Sequence, residues 1–183
     1  MNSNLPKRSA GFTLIELLVV MSIVVIITAG IIPSFSGYIK DQNLKQAQEQ
    51  LKSDLRTIQN RALTGAFSDE KIGSNPVLYW GVYFATPSDT GTNEYRSFIS
   101  HSASECPPNA VKYQGTYTFK NNIKYFGPNM CLFFSIKNGD LSRHGGEGNY
   151  IDLKYKSNGN CVAENAGNKT CQRVNFNEAG LIH

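Results

Sequence analysis

Residues 11–33 read GFTLIELLVVMSIVVIITAGIIP, and this stretch decides how the rest of the chain is organised. From Phe12 to Ile32 the residues are apolar except for one carboxylate, Glu16, and a few small polar side chains. A helix of this length rises about 31 Å, enough to cross the hydrocarbon core of a bilayer. A charged group in such a run is costly, so Glu16 indicates a functional role. The alternative is an ordinary signal anchor that tolerates an acid near the membrane interface.

A family resemblance rests on the order of residues at the start of this stretch. The start of the stretch resembles the class III signal of type IV pilins and pseudopilins, which has an apolar helix after the motif. The residues that carry this resemblance are Gly11-Phe12-Thr13-Leu14-Ile15-Glu16. The resemblance covers roughly residues 6–60. It implies cleavage by a prepilin peptidase between Gly11 and Phe12, and then N-methylation of Phe12. Pro33 stands where many of these proteins have a helix-disrupting proline.

The chemistry of these residues is compatible with that processing. Lys7 and Arg8 favour a cytoplasmic leader, and Gly11 leaves the backbone unobstructed for a protease. Cleavage gives Phe12 a new amine. By analogy with the family, the Glu16 carboxylate pairs with the Phe12 amine of a neighbouring subunit and so sets the axial register of a helix bundle.

The resemblance also implies partners and a location. The expected partners are other pilin subunits, the prepilin peptidase and methyltransferase, an inner-membrane assembly platform and, before assembly, the membrane. The protein would be a single-pass protein of the cytoplasmic membrane with an extracytoplasmic globular domain. It would then enter a cell-surface pilus or an envelope-spanning pseudopilus.

After Pro33 the apolar pattern narrows to one face of a helix. Apolar residues recur at steps of three and four, which predicts packing on a sheet: Leu44, Ala47, Leu51, Leu55, Ile58 and Ala62. Gly65 predicts the helix end, because glycine readily takes the left-handed conformation found there. Pro33, Ser34, Ser36 and Gly37 predict a kink or local melting between the two halves.

Beyond Gly65 the pattern predicts short strands bounded by turn residues. They are Val77–Ala85, Tyr95–His101, Tyr117–Phe126, Cys131–Lys137, Tyr150–Tyr155, Gln172–Phe176 and Gly180–His183. Asn138-Gly139 and Asn158-Gly159 predict tight turns. The expected fold class is α+β, with a long N-terminal spine helix packed on an antiparallel sheet. The expected segments are a leader (1–11), a transmembrane and assembly half-helix (12–33), an amphipathic half-helix (34–65) and a β-rich domain (66–183).

Composition indicates a folded, β-rich domain rather than a disordered tail. The 183 residues carry 18 basic and 14 acidic side chains, a net charge of +4. A net charge this small does not by itself indicate a nucleic-acid partner. Charged residues make up 17% and aromatic residues 11%, which is typical of a folded domain.

The four cysteines all follow residue 100, on the side placed outside the cytoplasm. An even count in an oxidising compartment predicts disulfides, for which three connectivities are possible. We favour Cys161–Cys171, because the residues between them form a turn-rich stretch suited to a hairpin. Cys106–Cys131 then follows mainly by elimination. The sequence contains no Cys-x-x-Cys pair, so it does not indicate a zinc-binding or redox motif.

The sequence predicts no catalytic residue, metal site or cofactor, and hence no enzyme. His101, His144 and His183 are far apart, and no nucleophile elbow occurs. The glycine-rich residues 143–148 lack the lysine and hydroxyl residue of a phosphate loop and are predicted to form a mobile surface loop. Asp89, Asn93 and Glu94 offer oxygen ligands for calcium, but their spacing differs from that of an EF-hand, so a solvated turn is favoured.

Several alternatives remain. Residues 174–181 and the helix at 51–63 resemble H-type pseudopilins and FimT-like minor pilins, so the filament role remains open between a major pilin, a minor pilin and a pseudopilin. A DNA-capturing minor pilin is also conceivable, with lysines and tyrosines in one basic strip: Lys112, Lys120, Lys124, Lys154, Lys156, Tyr113, Tyr117, Tyr125 and Tyr155. A secreted enzyme behind a signal peptide would need a cleavage site after the apolar run, where no Ala-x-Ala occurs.

Overall fold

The computed structural model describes residues 11–85, 91–106, 111–146, 148–155, 161 and 171–177, without the side chains of residues 30–34 and 36. These residues form one helix, α1, and ten strands, and every strand pairing is antiparallel. The class is therefore α+β, as predicted. The bounds are α1 Leu14–Leu63, β1 Lys71–Ile72, β2 Asn75–Pro76, β3 Tyr79–Phe84, β4 Glu94–Ser100, β5 Val111–Thr118, β6 Lys124–Tyr125, β7 Met130–Ser135, β8 Leu141–Gly145, β9 Tyr150–Lys154 and β10 Cys171–Asn175.

The chain divides after Ile39 into two compact units. In the first unit, the large apolar side chains from Phe12 to Ile27 lie exposed on every side of the helix. Helical backbone continues through positions 33–37. Of the kink or local melting expected between the two halves, local melting is therefore wrong, and the kink stays a prediction. Among the helical residues that the structure describes, none forms a stretch long and apolar enough to span a membrane.

The second unit contains the main sheet, whose strand order is β5-β4-β3-β7-β8. A three-stranded sheet, β10-β9-β6, and the β1-β2 pair complete it. Within two residues at each end, five predicted strands are confirmed as β3, β4, β7, β9 and β10. The Asn138-Gly139 turn is also confirmed, because Gly139 has φ +73° and joins β7 to β8. The predictions for Asn158-Gly159 and Gly180–His183 lie outside the described residues.

One predicted strand and one predicted loop are wrong. The expected strand Tyr117–Phe126 is interrupted, because Asn121 and Asn122 adopt φ values of 60° and 58° that a strand cannot contain. Asparagine tolerates this left-handed conformation better than most residues. The glycine-rich residues 143–148 were expected to form a loop, yet residues up to Gly145 belong to β8 and pair with β7.

The amphipathic part of α1 packs on the main sheet as its pattern predicts. All six apolar residues of the predicted helix stripe are at most 4% exposed. They join one core with alternate residues of the strands, including Trp80, Val82 and Phe84 of β3. Gly65, at φ +66°, ends the helix as predicted. Its amide donates to the Ala62 carbonyl, and the Ala66 amide donates to Arg61, the pattern of a Schellman cap.

Replacing the buried Leu55 by alanine should lower the free energy of unfolding by about 2–5 kcal/mol, because a cavity remains in a packed core. The matched control is Leu63→Ala in the last turn of the same helix, where the side chain is 51% exposed. That change should cost about 1 kcal/mol or less. Urea unfolding of the two variants measures both values, and equal losses would contradict the placement of the core.

Two buried tyrosines donate hydrogen bonds through their hydroxyl groups, one to the helix and one to a nearby loop. Tyr95 donates a hydrogen bond to the Asp54 carboxylate of α1, and Tyr125 donates to the Pro128 carbonyl at 2.8 Å. Burial raises the pKa of both phenols, and the nearby carboxylates Asp54 and Asp152 raise them further. The pKa of Tyr125 rises to about 12.

These raised pKa values predict a loss of stability at alkaline pH. The unfolded phenols ionise near their usual pKa of about 10, whereas the folded ones stay protonated. Their contribution is therefore complete below about pH 10 and is lost as the pH rises towards about 12. Tyr125→Phe should reduce this pH dependence. Denaturant unfolding across this pH range is the measurement, and a flat profile for the wild-type protein would contradict the prediction.

Candidate processing and assembly site

The residues of the N-terminal motif lie at the start of α1. Gly11, Phe12 and Thr13 precede the first helical residue, Leu14. The Thr13 hydroxyl accepts a hydrogen bond from the Glu16 amide at 3.3 Å, and the Thr13 carbonyl accepts one from the Leu17 amide at 3.2 Å. Thr13 is therefore the N-cap of the helix. The peptide bond between Gly11 and Phe12 lies in non-helical backbone just outside it.

The sequence reasoning missed the capping role of Thr13, although a signal for it was available. Threonine followed three residues later by glutamate is the pattern of a capping box. The helix macrodipole also favours an acidic side chain in the first turn, where Glu16 lies. Local helix chemistry thus accounts for part of the preference for these two residue types.

Gly11 is not required by the fold that the structure describes. A Cβ atom built on Gly11 meets no atom within 4 Å, and its φ is not in the left-handed region that favours glycine. Side chains larger than hydrogen therefore fit here without strain in the folded subunit. A requirement for glycine at this position would have to come from a partner that contacts the extended backbone.

Glu16 differs from the other polar residues of the apolar half of α1. The hydroxyl of Ser22 donates to the Val19 carbonyl, and that of Thr28 donates to the carbonyls of Val24 and Val25. These groups are thus satisfied within their own helix. The Glu16 carboxylate is exposed and makes no hydrogen bond or ion pair with the residues that the structure describes. It is available to a group outside the subunit.

The side chains around Glu16 form an apolar surface that the subunit itself does not cover. The large apolar residues from Phe12 to Ile27 are between 48% (Val24) and 81% (Leu14) exposed, and Phe12 is 78% exposed. A helix that is apolar on every side is stable only when other protein or lipid surrounds it. This surface requires such a partner.

Comparison with protein families identifies this same segment. A family model of the prokaryotic N-terminal methylation motif matches residues 6–32. The chain carries a prepilin-type methylation motif. The match supports a type IV pilin-like or pseudopilin protein, and it implies processing by a prepilin peptidase and assembly with other pilins. Comparisons with curated proteins and with solved structures gave no significant match.

The methylation motif contains the predicted cleavage and modification sites. Gly11, Phe12 and Glu16 lie inside the matched residues, whereas Pro33 is the first residue beyond them. The motif is one of structural subunits rather than of an enzyme family, which suggests a non-enzymatic role. Cleavage at Gly11, methylation of Phe12 and the assembly roles of Glu16 and Pro33 stay predictions.

The cysteines pair within the second unit. A disulfide joins Cys106 to Cys131, one of the two favoured pairs, with Cα atoms 5.6 Å apart. Cys161 and Cys171 are also joined, with Cα atoms 5.7 Å apart. Asp152 lies near the latter two sulfur atoms. Such a group would suit a metal only if the sulfurs were free thiolates, and in the disulfide they are not.

Part of the proposed basic strip comes together, because Lys124 of β6 and Lys154 of β9 are cross-strand partners. Three of its tyrosines make other contacts. Tyr125 is buried in the core, and Tyr117 stacks on Tyr95 with ring centroids 5.1 Å apart. The Tyr155 hydroxyl donates to a carbonyl of α1, and the Lys112 ammonium pairs with Glu70 at 2.9 Å. Lys156 lies outside the described residues. DNA binding stays a prediction that this geometry does not favour.

The histidine candidates do not come together, and the calcium candidate is described only in part. Asp89 lies outside the described residues, while Glu94 begins β4 and its amide donates to the Thr92 hydroxyl. His101 follows β4, His144 lies in β8, and His183 is outside the described residues. These positions do not form one catalytic or metal-binding group among the residues that the structure describes.

Proposed function

We propose that this protein is a structural subunit of a type IV pilus-like filament. The carrying observation is the exposed apolar surface of the first unit, together with one carboxylate, Glu16, that has no described partner within the subunit. The matched methylation motif supports this proposal, because that motif occurs in pilin-like proteins. Parallel copies of the helix would cover each other's apolar side chains, and Glu16 would pair with the amine of Phe12 in a neighbouring copy.

We propose the following sequence of states. The precursor is inserted with residues 12–33 in the cytoplasmic membrane and its globular domain outside the cytoplasm. Prepilin peptidase removes residues 1–11, Phe12 is methylated, and an inner-membrane platform adds the subunit to the filament. The positive charges Lys7 and Arg8 of the leader support this orientation. A minor pilin or a pseudopilin of a secretion or DNA-uptake system uses the same chemistry and is the alternative.

The test is the N-terminus of the mature protein, isolated from filaments sheared off the cells. N-terminal sequencing and mass spectrometry should find a chain that starts at Phe12 and carries one methyl group on its amine. A mature chain that starts after the apolar run would instead identify an ordinary signal peptide. Comparing the amount of this protein with that of other subunits in the same filaments distinguishes a major pilin from a minor one.

A further inference from the structure

The turn between β7 and β8 contains an asparagine followed by a glycine, Asn138-Gly139. This pair is chemically labile, because the backbone nitrogen of the glycine can attack the side-chain amide of the asparagine before it. Glycine permits that attack more readily than other residues, since it has no side chain in the way and its backbone is flexible. Asn138 is exposed, so water can reach its side chain. The turn therefore contains a candidate modification site.

The fold favours glycine at position 139. Its φ of +73° lies in the left-handed region, which is unfavourable for residues with a side chain. A Cβ atom here would also lie 2.6 Å from the Leu63 side chain of α1, which would have to move. Gly139 is buried although Asn138 and Asp140 on either side of it are exposed. A larger residue would be strained at this position, so the fold retains the labile pair.

Hydrogen bonds within the turn occupy both reacting groups. The Gly139 amide, which supplies the attacking nitrogen, donates to the Ser135 carbonyl at 2.8 Å. The side-chain nitrogen of Asn138, which is the leaving group, donates to the Asp140 carboxylate. The side-chain oxygen of Asn138 accepts from the Asp140 amide at 3.3 Å. Attack requires the glycine nitrogen to lose its proton, so its bond to Ser135 must break first.

Two further hydrogen bonds hold the turn in place. The Gln59 side-chain nitrogen donates to the Gly139 carbonyl at 3.3 Å and links the turn to α1. The Ser135 amide donates to the Asp140 carbonyl at 3.0 Å and closes the turn between the two strands. The backbone on both sides of the labile pair is thus fixed, and the folded turn resists the rearrangement that ring closure needs.

We propose that Asn138 is a spontaneous modification site whose deamidation is suppressed by the folded β7–β8 turn. The reaction proceeds only while the turn is open, so the modified fraction records how long the turn has been open over the life of the molecule. Asp140 and Gln59 set the rate, because each holds one part of the turn closed. This inference is independent of the filament role.

The reaction is a ring closure followed by hydrolysis. A base from solvent removes the proton of the Gly139 amide, and the nitrogen bonds to the side-chain carbonyl carbon, Cγ, of Asn138. The bond from Cγ to Nδ2 breaks, and that nitrogen takes up a proton and leaves as ammonia. Water then opens the cyclic imide. Cleavage of the ring bond to Cγ gives aspartate, and cleavage of the ring bond to the main-chain carbonyl carbon gives isoaspartate.

Neither product fits the native turn. Each carries a new carboxylate beside Asp140, so an amide that donated a hydrogen bond is replaced by a like charge that repels. Isoaspartate also adds one atom to the main chain between residues 138 and 139. That insertion moves Gly139 relative to Ser135 and Gln59, its hydrogen-bond partners. The modified turn therefore opens more readily than the original one.

The test compares deamidation of Asn138 in folded full-length protein, held in detergent micelles, with that in the same protein unfolded in urea. Peptide mapping by mass spectrometry at neutral pH measures the rates. The folded protein should react about tenfold or more slowly, because only its opened fraction is reactive. In urea, Asn158, which also precedes a glycine, should react at a similar rate and provides an internal reference. Equal rates in folded and unfolded protein would overturn the proposal, and so would an unreactive Asn138 in urea.

Asp140→Ala tests the turn itself. It removes one hydrogen bond, so the rate in the folded protein should rise by about two- to tenfold while the rate in urea stays unchanged. The matched control is Asp69→Ala, which removes an exposed acid from the turn after α1 and should leave both rates unchanged. A rise by the same factor in urea would make the effect of Asp140 independent of the fold and overturn the proposal. If Asp140→Ala does not fold, Gln59→Ala gives the same decision, because it removes the bond between turn and helix.

Discussion

Replacing Gly11 by valine should leave the full-length precursor unprocessed and abolish filaments. The β-branched side chain crowds the bond that the peptidase must reach. The folded subunit itself accommodates a side chain here, because a Cβ atom at Gly11 meets nothing within 4 Å. A loss of processing would therefore reflect recognition by the peptidase rather than misfolding. Immunoblotting of membranes and of sheared filaments measures the precursor and the mature form.

The control for this change is Leu14→Val, which places the same side chain three residues beyond the scissile bond. Leu14 is 81% exposed, so this variant should be processed like the wild-type protein. Mature protein starting at Phe12 at normal levels in Gly11→Val would show that the leader has been assigned wrongly. Equal loss in both variants would point to a general insertion defect.

Replacing Glu16 by leucine should give a processed subunit that stays in the membrane and fails to assemble. In a simple membrane anchor the same change would ease insertion and leave function intact, because a costly acid becomes apolar. In the filament it would leave a neighbour's Phe12 amine without its partner. Removing one member of a fully buried pair costs about 3–5 kcal/mol at each contact. The measurement is the amount of processed protein in sheared filaments.

Ser22→Ala is the matched control in the same helix. The Ser22 hydroxyl is satisfied by the Val19 carbonyl, so its removal should leave assembly unchanged. Glu16→Asp keeps the charge on a shorter side chain and should assemble better than Glu16→Leu. Wild-type filament levels with leucine at position 16 would argue against the pairing role and would weaken the filament proposal.

The buried face of α1 could be predicted from the sequence, because apolar residues at steps of three and four lie on one side of a helix. The residues Leu44 to Ala62 recur at helical spacing, and every one of the six is buried. The position of Gly65 likewise follows from the conformational freedom that a helix end requires. The methylation motif at the start of α1 was predictable for a different reason, since Gly11, Phe12 and Glu16 stand at a spacing typical of that motif.

The remaining features depend on neighbours that sequence patterns do not show. The first six residues of β5 were missed because no side chain of this sheet-edge strand is fully buried, so it lacks a clear apolar alternation. The need for glycine at position 81 of β3 depends on Phe98 of the neighbouring strand β4. The Phe98 ring lies 2.2 Å from the place where a Cβ atom of residue 81 would stand. The capping of α1 by Thr13, in contrast, is a local feature, because threonine and glutamate three residues apart form the pattern of a capping box.

The strand order also determines when the globular domain can form during synthesis of the chain. β3 pairs with β4, the next strand in the chain, and with β7, which is synthesised later. Pairing of β3 with β7 closes a long loop, a slow step in folding because the entropy of closure precedes the gain from contacts. Until then one edge of β3 lacks its partner. The emerging chain is therefore most vulnerable to aggregation and proteolysis between the arrival of β4 and the arrival of β7.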